Sequence, residues 1–238
     1  MKIALIGYGK MGKAIEAIAL EKGHEIIAKT GRDGFSDAEV INADVAIEFS
    51  RPETGFENCQ RLVSLGIPTV SGTTGWTDQL PEIEELTVQN STSFLYASNF
   101  SLGVNIFFAV NEYLAKLMGD RSYDVSMEEI HHTQKLDAPS GTALSLAEPI
   151  IHANKTLKSW ALAEDAKEND LPIVAKRVDP TPGTHVVSYD SEIDSIEIKH
   201  TAHSRKGFAA GALAAAEFIA DKSGVYSMRD LLKIEGAE

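Results

Sequence analysis

His131, His132 and Lys135 fall within five positions, and a Pro-Ser-Gly-Thr turn, 139–142, follows them. Imidazole has an ordinary pKa near neutrality, so His131 or His132 suits proton transfer to a substrate. Ser140 can cap a helix that starts at Gly141. The N–H groups of Gly141 and Thr142 would then face outward at the positive end of that helix, where a carboxylate is favoured. Lys135 adds a mobile cation. These residues could therefore grip an anion and supply a proton to it. The plainer reading of the same residues is a buried, hydrogen-bonded histidine pair. A metal centre drawing on His185, His200 and His203 is disfavoured, because the chain has one cysteine, Cys59, and no H-E-x-x-H pattern. No metal is expected. Ser140 also lacks the G-x-S-x-G surroundings of a nucleophilic serine.

A second group lies at the start of the chain. Gly7-Tyr8-Gly9-Lys10-Met11-Gly12 is a complete G-x-G-x-x-G between an apolar run, Lys2 to Gly7, and a stretch with helical spacing. Gly7 permits a tight turn, Gly9 a close backbone approach to a pyrophosphate, and Gly12 close helix packing. The helix N-terminus would hold the anion. The acid that usually reads a ribose hydroxyl after the second strand is missing; Lys29 and Arg32 stand there instead. They could pair with a 2′-phosphate, which leans the cofactor towards NADPH over NADH. Gly72, Thr73 and Thr74, and then Ala97, Asn99 and Phe100, follow two further strand patterns. Open α/β sheets bind ligands at such strand ends.

The elements that must position these residues read as two lobes. Apolar runs Glu25 to Ala28, Asp44 to Phe49, Ile67 to Ser71 and Ser93 to Ala97 alternate with helical patterns Lys10 to Lys22, Pro52 to Leu65 and Pro81 to Gln89. This predicts an α/β fold: a Rossmann-type doubly wound parallel sheet. After Asn99 the rhythm changes. Helices over Leu102 to Met118 and Ser140 to Ile151 mix with strands over Tyr123 to His131, Ile173 to Val178, Thr184 to Ser188 and Ser195 to His200. Residues 159–170 are polar and unassigned. An Ala-rich helix, Phe208 to Ala220, and a short one, Met228 to Ile234, complete the chain. The expected division is a dinucleotide-binding domain over 1–100 with the C-terminal 209–238, and a second α+β domain over 101–208.

Composition narrows the partners. The chain has 238 residues and a formal net charge of -13, which argues against nucleic acid. No stretch has the length of a membrane span, and the N-terminus lacks the pattern of a signal peptide. A lone cysteine fits a reducing compartment, so the cytoplasm is the expected location.

The stretch Glu129 to Ala143 resembles dihydrodipicolinate reductase. So do Gly7 to Gly12, Phe49-Ser50-Arg51-Pro52-Glu53, Gly72 to Gly75 and Asn99 to Asn105. The resemblance implies reduction of 4-hydroxy-tetrahydrodipicolinate to tetrahydrodipicolinate with NADH or NADPH, in lysine and diaminopimelate biosynthesis. It implies a substrate-binding and oligomerisation role for the second domain, and a homotetramer. It makes His131 the general acid and Lys135 a residue that binds the small cyclic dicarboxylate and assists catalysis. It makes His132, Ser140, Gly141, Thr142, Thr74 and Arg205 substrate contacts. Two other readings of the residues are an imine or semialdehyde reductase like aspartate dehydrogenase, and a non-catalytic NAD(P)-binding sensor.

Overall fold

The computed structural model describes residues 1–204 and 206–234. The chain divides into two compact units. One is Met1–Asn105 with the chain from Lys206 onward; the other begins at Ile106.

The first unit is built on β1 (Lys2–Ile6), whose residues from Ile3 to Ile6 are buried on both faces. Such a strand belongs at the middle of a parallel sheet. It is followed by α1 (Lys10–Glu21), β2 (Glu25–Thr30), the short α2 (Asp37–Val40), β3 (Val45–Glu48), α3 (Pro52–Ser64), β4 (Thr69–Ser71), α4 (Leu80–Gln89) and β5 (Ser93–Tyr96). The unit is completed from the far end of the chain by α7 (Lys206–Ile219), β11 (Gly224–Tyr226) and α8 (Met228–Leu232). The six strands are parallel, in the order β11-β5-β4-β3-β1-β2.

Strand alternation sorts the side chains onto two faces. Ile3 and Leu5 join Ile15 and Ala19 of α1 and a row of α7 residues, Ala209, Ala212, Leu213 and Ala216, in one core. Ala4 and Ile6 point the other way, towards Val40 of α2 and Leu62 of α3. Cys59, Trp76, Ile83 and Phe94 extend that second layer beneath α3 and α4. The sheet is therefore doubly wound. Its order reverses beside β1, and ligands of such sheets sit at the carboxyl ends of the strands at that reversal.

The second unit contains most of α5 (Leu102–Met118), then β6 (Asp124–His131), α6 (Gly141–Ala153), β7 (Ser159–Leu162), β8 (Asp170–Arg177), β9 (Gly183–Asp190) and β10 (Ser195–Ala202). The sheet order is β10-β9-β6-β8-β7. It is mixed: β9 runs antiparallel to β10 and β6, whereas β6, β8 and β7 are parallel. Phe107, Met118, Leu146 and Ile150 pack on Val125, Met127, Leu171 and Val187. In β6 every second residue is buried, so Val125, Met127, Glu129 and His131 share the inner face.

The polar stretch 159–170 holds a strand after all. β7 is a half-exposed edge paired with β8, which is why its sequence carries little apolar signal. The three-residue β11 is likewise too short to show a period. No helix among the described residues is long and apolar enough to cross a membrane.

Candidate functional site

In the first unit the glycine loop leaves β1 at the sheet's reversal. The N–H groups of Gly7 and Tyr8 both donate to the Thr30 carbonyl, at 3.1 and 2.8 Å, which ties the loop to the end of β2. Gly7 has φ +95°, and a Cβ there would lie 2.0 Å from the Phe49 carbonyl oxygen, so no other residue fits. A Cβ on Gly9 would meet only open space. α1 begins directly after it, with no side-chain cap and no acid in its first turn, so its N-terminal N–H groups remain available to an anion. Lys10 and Met11 form the first turn of this helix, and Gly12 is buried in it.

A cleft of about 340 Å³ opens beside this loop. Its walls are Gly7, Tyr8 and Gly9, then Arg32 and Gly34 after β2, then Ser50, Arg51, Thr54 and Asn58 after β3. Of the two cations expected there, only Arg32 lines it. Lys29 is engaged elsewhere: its Nζ donates to Glu16 at 3.1 Å and lies 5.3 Å from the Tyr8 ring centroid, and Tyr8 Oη also donates to Glu16. Arg51 is a second cation in the wall that sequence reasoning did not assign. Its signal was its place directly after an apolar strand.

Gly72, Thr73 and Thr74 follow β4, and Ala97, Asn99 and Phe100 follow β5; none of them lines this cleft. The Thr73 hydroxyl turns inward and donates to Glu48 at 2.9 Å. Thr74 is exposed. Asn99 Oδ1 accepts from the Ser101 N–H at 2.9 Å. The Phe100 side chain is core, tilted against Phe49 with centroids 5.5 Å apart.

In the second unit β6 carries Glu129 and His131 inward, while His132 follows on the opposite side of the extended chain. The two histidines therefore do not share one environment. β9 brings His185 opposite Glu129, and β8 brings Arg177 beside His131. Glu129 is fully buried and His131 is 7 % exposed. His131 Nδ1 lies 3.4 Å from Glu129 Oε2, and His185 Nε2 lies 3.7 Å from the same oxygen. The other carboxylate oxygen accepts from the Ser140 N–H at 3.1 Å and from Arg177 Nη2 at 3.3 Å. Ser140 Oγ accepts from Ala143 N at 3.2 Å, capping α6, and lies 3.2 Å from His185 Nε2. Gly141 is exposed and Thr142 half-buried in the first turn, which holds no acid. The helix end is thus capped on its inner side and open on its outer side.

Burial pushes the His131 imidazole down to about 4; Glu129 opposes this, and His185, Lys135 and Arg177 reinforce it. Burial alone would raise the Glu129 carboxyl, but the nearby His185 ring, the hydrogen bond from Ser140 and its pairing with His131 hold it near 2. At neutral pH the cluster is a carboxylate facing a neutral His131. Lys135 is not a free cation: its Nζ grips Asp137 at 2.9 and 2.8 Å. An incoming carboxylate must compete with Asp137 or join it.

Glu129, His131 and His185 place ligand atoms within 4.8 Å of one another, a set that could hold a divalent ion. Arg177 already supplies a positive partner to that carboxylate, which is the role a metal would fill. His200 pairs in register with His185 across β9 and β10 and packs against Phe107, but it is not a member of this set. Arg205 lies outside the described residues.

Sequence reasoning did not assign roles to Glu129, Arg177 or His185. The last two come from strands about fifty residues downstream of β6, and only sheet pairing brings them in.

Comparison with known proteins matches two family models, "Dihydrodipicolinate reductase, N-terminus" over residues 1–100 and "Dihydrodipicolinate reductase, C-terminus" over residues 103–232. The 4-hydroxy-tetrahydrodipicolinate reductase of Christiangramia forsetii is 50 % identical over 234 residues, 98 % of each chain. The enzyme of the same name from Methanocaldococcus jannaschii is 36 % identical over 96 % of this chain and 80 % of its own. Among solved structures, the dipicolinate-bound dihydrodipicolinate reductase of Paenisporosarcina sp. TG-14 superposes with a TM-score of 0.79, covering 95 % of this chain and 97 % of that one at 21 % identity.

Proposed function

The chain belongs to the dihydrodipicolinate reductase family, and from that premise we propose that it reduces 4-hydroxy-tetrahydrodipicolinate to tetrahydrodipicolinate with NAD(P)H, in lysine and diaminopimelate biosynthesis. The observation that carries the chemical part is the buried Glu129–His131–His185 cluster next to an open helix end, with Lys135 held near it by Asp137. It puts a proton-handling group beside a place for a carboxylate.

The cofactor would be held by the Gly7–Gly12 loop and the N-terminus of α1, its pyrophosphate taking the free N–H groups. When bound, it supplies a hydride equivalent to ring carbon C4. Arg32 and Arg51 line the same cleft, and no acid among the described residues lines it to read a ribose hydroxyl, which favours a 2′-phosphate and hence NADPH.

The substrate is a small cyclic dicarboxylate. The outward N–H groups of Gly141 and Thr142, with Lys135, would hold one carboxylate by charge-assisted hydrogen bonds. Thr74, His132 and Arg205 are carried as further substrate contacts on the family resemblance. His131 is the general acid. It is neutral in the free protein, and two nearby substrate carboxylates would raise its affinity for a proton. Proton uptake would then accompany substrate binding. Over the reaction two electrons and two protons enter, and the C4 hydroxyl leaves as water. Ile106, Val110, Tyr113 and Leu117 form an exposed stripe on α5 that supports a subunit contact, in line with a homotetramer. The buried lone Cys59 supports a reducing, cytoplasmic setting.

The test is direct. Freshly made substrate is mixed with the purified protein, and nicotinamide absorbance is followed with NADH and NADPH separately. Oxidation of NADPH at the higher kcat/KM is expected, and Arg51→Met should reduce that preference about tenfold, the worth of one charge-assisted hydrogen bond. No oxidation with either cofactor, while cofactor still binds, would overturn the reading in favour of another imine substrate or a binding-only protein.

A further inference from the structure

Arg177 ends β8 and pairs in register with His131 at the end of β6. Its guanidinium is mostly buried and makes four contacts in different directions. Nε donates to the Lys135 carbonyl at 3.2 Å, and Nη2 to the Asp137 carbonyl at 2.5 Å. Nη2 also reaches Glu129 at 3.3 Å, and Nη1 donates to the Lys176 carbonyl at 2.9 Å. The segment it grips, 132–140, has no helix or strand of its own, and Leu136 within it is 95 % exposed. Such a segment has few apolar contacts to fix it, so its order depends on named hydrogen bonds. One end is tied by Thr133, whose N–H and hydroxyl both donate to Asp179 at 3.0 and 2.6 Å. Arg177 ties the middle. Ser140 ties the far end, through its own bond to Glu129.

On the functional reading above, we propose that Arg177 is a positioning residue for the substrate-carboxylate site. One planar cation holds the backbone that presents Lys135 and, through Glu129, the start of α6. It is not among the residues that line the cofactor cleft. A guanidinium suits this task because its five donors lie in a fixed plane and can bridge two carbonyls and a carboxylate at once; a lysine ammonium cannot. Misplacement of a binding group by about 1 Å can cost on the order of 100-fold. Arg177 also adds positive charge near His131, so its loss should move the pH profile.

The experiment compares wild type with Arg177→Lys and Arg177→Met. Dipicolinate binding is titrated calorimetrically with NADPH present, and KM and kcat are measured across pH. In both variants dipicolinate affinity is expected to fall about 10- to 100-fold and substrate KM to rise in step. NADPH affinity should stay within about twofold, and the limb of kcat/KM that reports His131 should move to higher pH in Arg177→Met. Unchanged dipicolinate affinity and KM in either soluble variant would overturn the proposal. So would a parallel loss of NADPH binding and thermal stability, the mark of a purely structural role. Because the dipicolinate titration needs no turnover, it decides this point separately from whether the wild type reduces the expected substrate.

Discussion

Each unit of the molecule buries one glutamate completely near the carboxyl end of a central strand, and the two are held in opposite ways. Glu48, at the end of β3, accepts from the Ser50 N–H at 3.0 Å, from the Ser71 and Thr73 hydroxyls at 2.8 and 2.9 Å, and from the Ser50 hydroxyl. Among the described residues no cation pairs with it. Glu129, in β6, faces Arg177, His131 and His185, and its Oε2 has no hydrogen-bond partner. A ring of neutral donors can hold a loop in place but has no proton to exchange near neutral pH. A carboxylate among imidazoles and a guanidinium sets both geometry and protonation. The first arrangement suits the floor of a cofactor cleft, where Ser50 leads into Arg51; the second suits a site that moves a proton.

The sharpest way to break this contrast is at His131. His131→Gln should lower kcat by about 10²- to 10⁴-fold and leave dipicolinate affinity nearly intact; stopped-flow turnover beside a calorimetric titration reads both. Retained turnover would leave the second unit with no proton-active group and make its glutamate as passive as the first.

Exchanging the two glutamates for glutamine comes next. Glu129→Gln should cost turnover on the order of 100-fold. It should also move the limb of kcat/KM on which activity falls with rising pH, the one that reports His131, to lower pH, because the carboxylate opposes the burial that depresses His131. Glu48→Gln keeps an acceptor but turns an amide towards the Ser50 and Thr73 donors. NADPH affinity should fall about tenfold, the worth of one mismatched buried hydrogen bond, with the pH profile unmoved. Equal pH shifts in both variants would erase the distinction.

The smallest effect is on stability against pH. His131 sits near 4 in the folded protein against an ordinary 6.5, so between those values the unfolded chain takes up a proton the folded one refuses. Stability should fall as pH drops through that window. Glu129, near 2 against 4.5, adds its own loss only below about 4.5. Urea midpoints measured from pH 7 to 3 should show both limbs. His131→Gln should flatten the upper one in part, because burial depresses His200 in the same sense.

Much of this architecture is legible in the chain itself, because its signals are local. The apolar run into Gly7, the helical spacing after Lys10 and the cap at Ser140 each depend on neighbours a few residues away. The alternation of β6 even carries the inward direction of His131. What sequence pattern leaves out is partnership at a distance. Arg32 and Lys29 look equivalent, yet Glu16 of the adjacent helix captures Lys29. Lys135 looks like a free cation, yet Asp137 two residues on grips it. Arg177 and His185 carry no local mark at all, because parallel pairing with β8 and antiparallel pairing with β9 decide which residues meet Glu129.

The helix that roofs the middle of the parallel sheet is drawn from the far end of the chain. Ala209, Ala212, Leu213, Ala215, Ala216 and Ile219 of α7 close over Ile3, Leu5, Val45, Ile47, Val70 and Leu95. During synthesis those strands leave the ribosome well before their cover, with the whole second unit translated in between. Until α7 arrives, that face of the sheet is covered only in part, by α1, and the apolar surface left open invites association with other chains. A nascent or truncated protein ending before Lys206 should therefore depend on chaperone shelter, and its glycine loop, present from the first dozen residues, should acquire affinity for a dinucleotide only when the chain beyond Lys206 has been made.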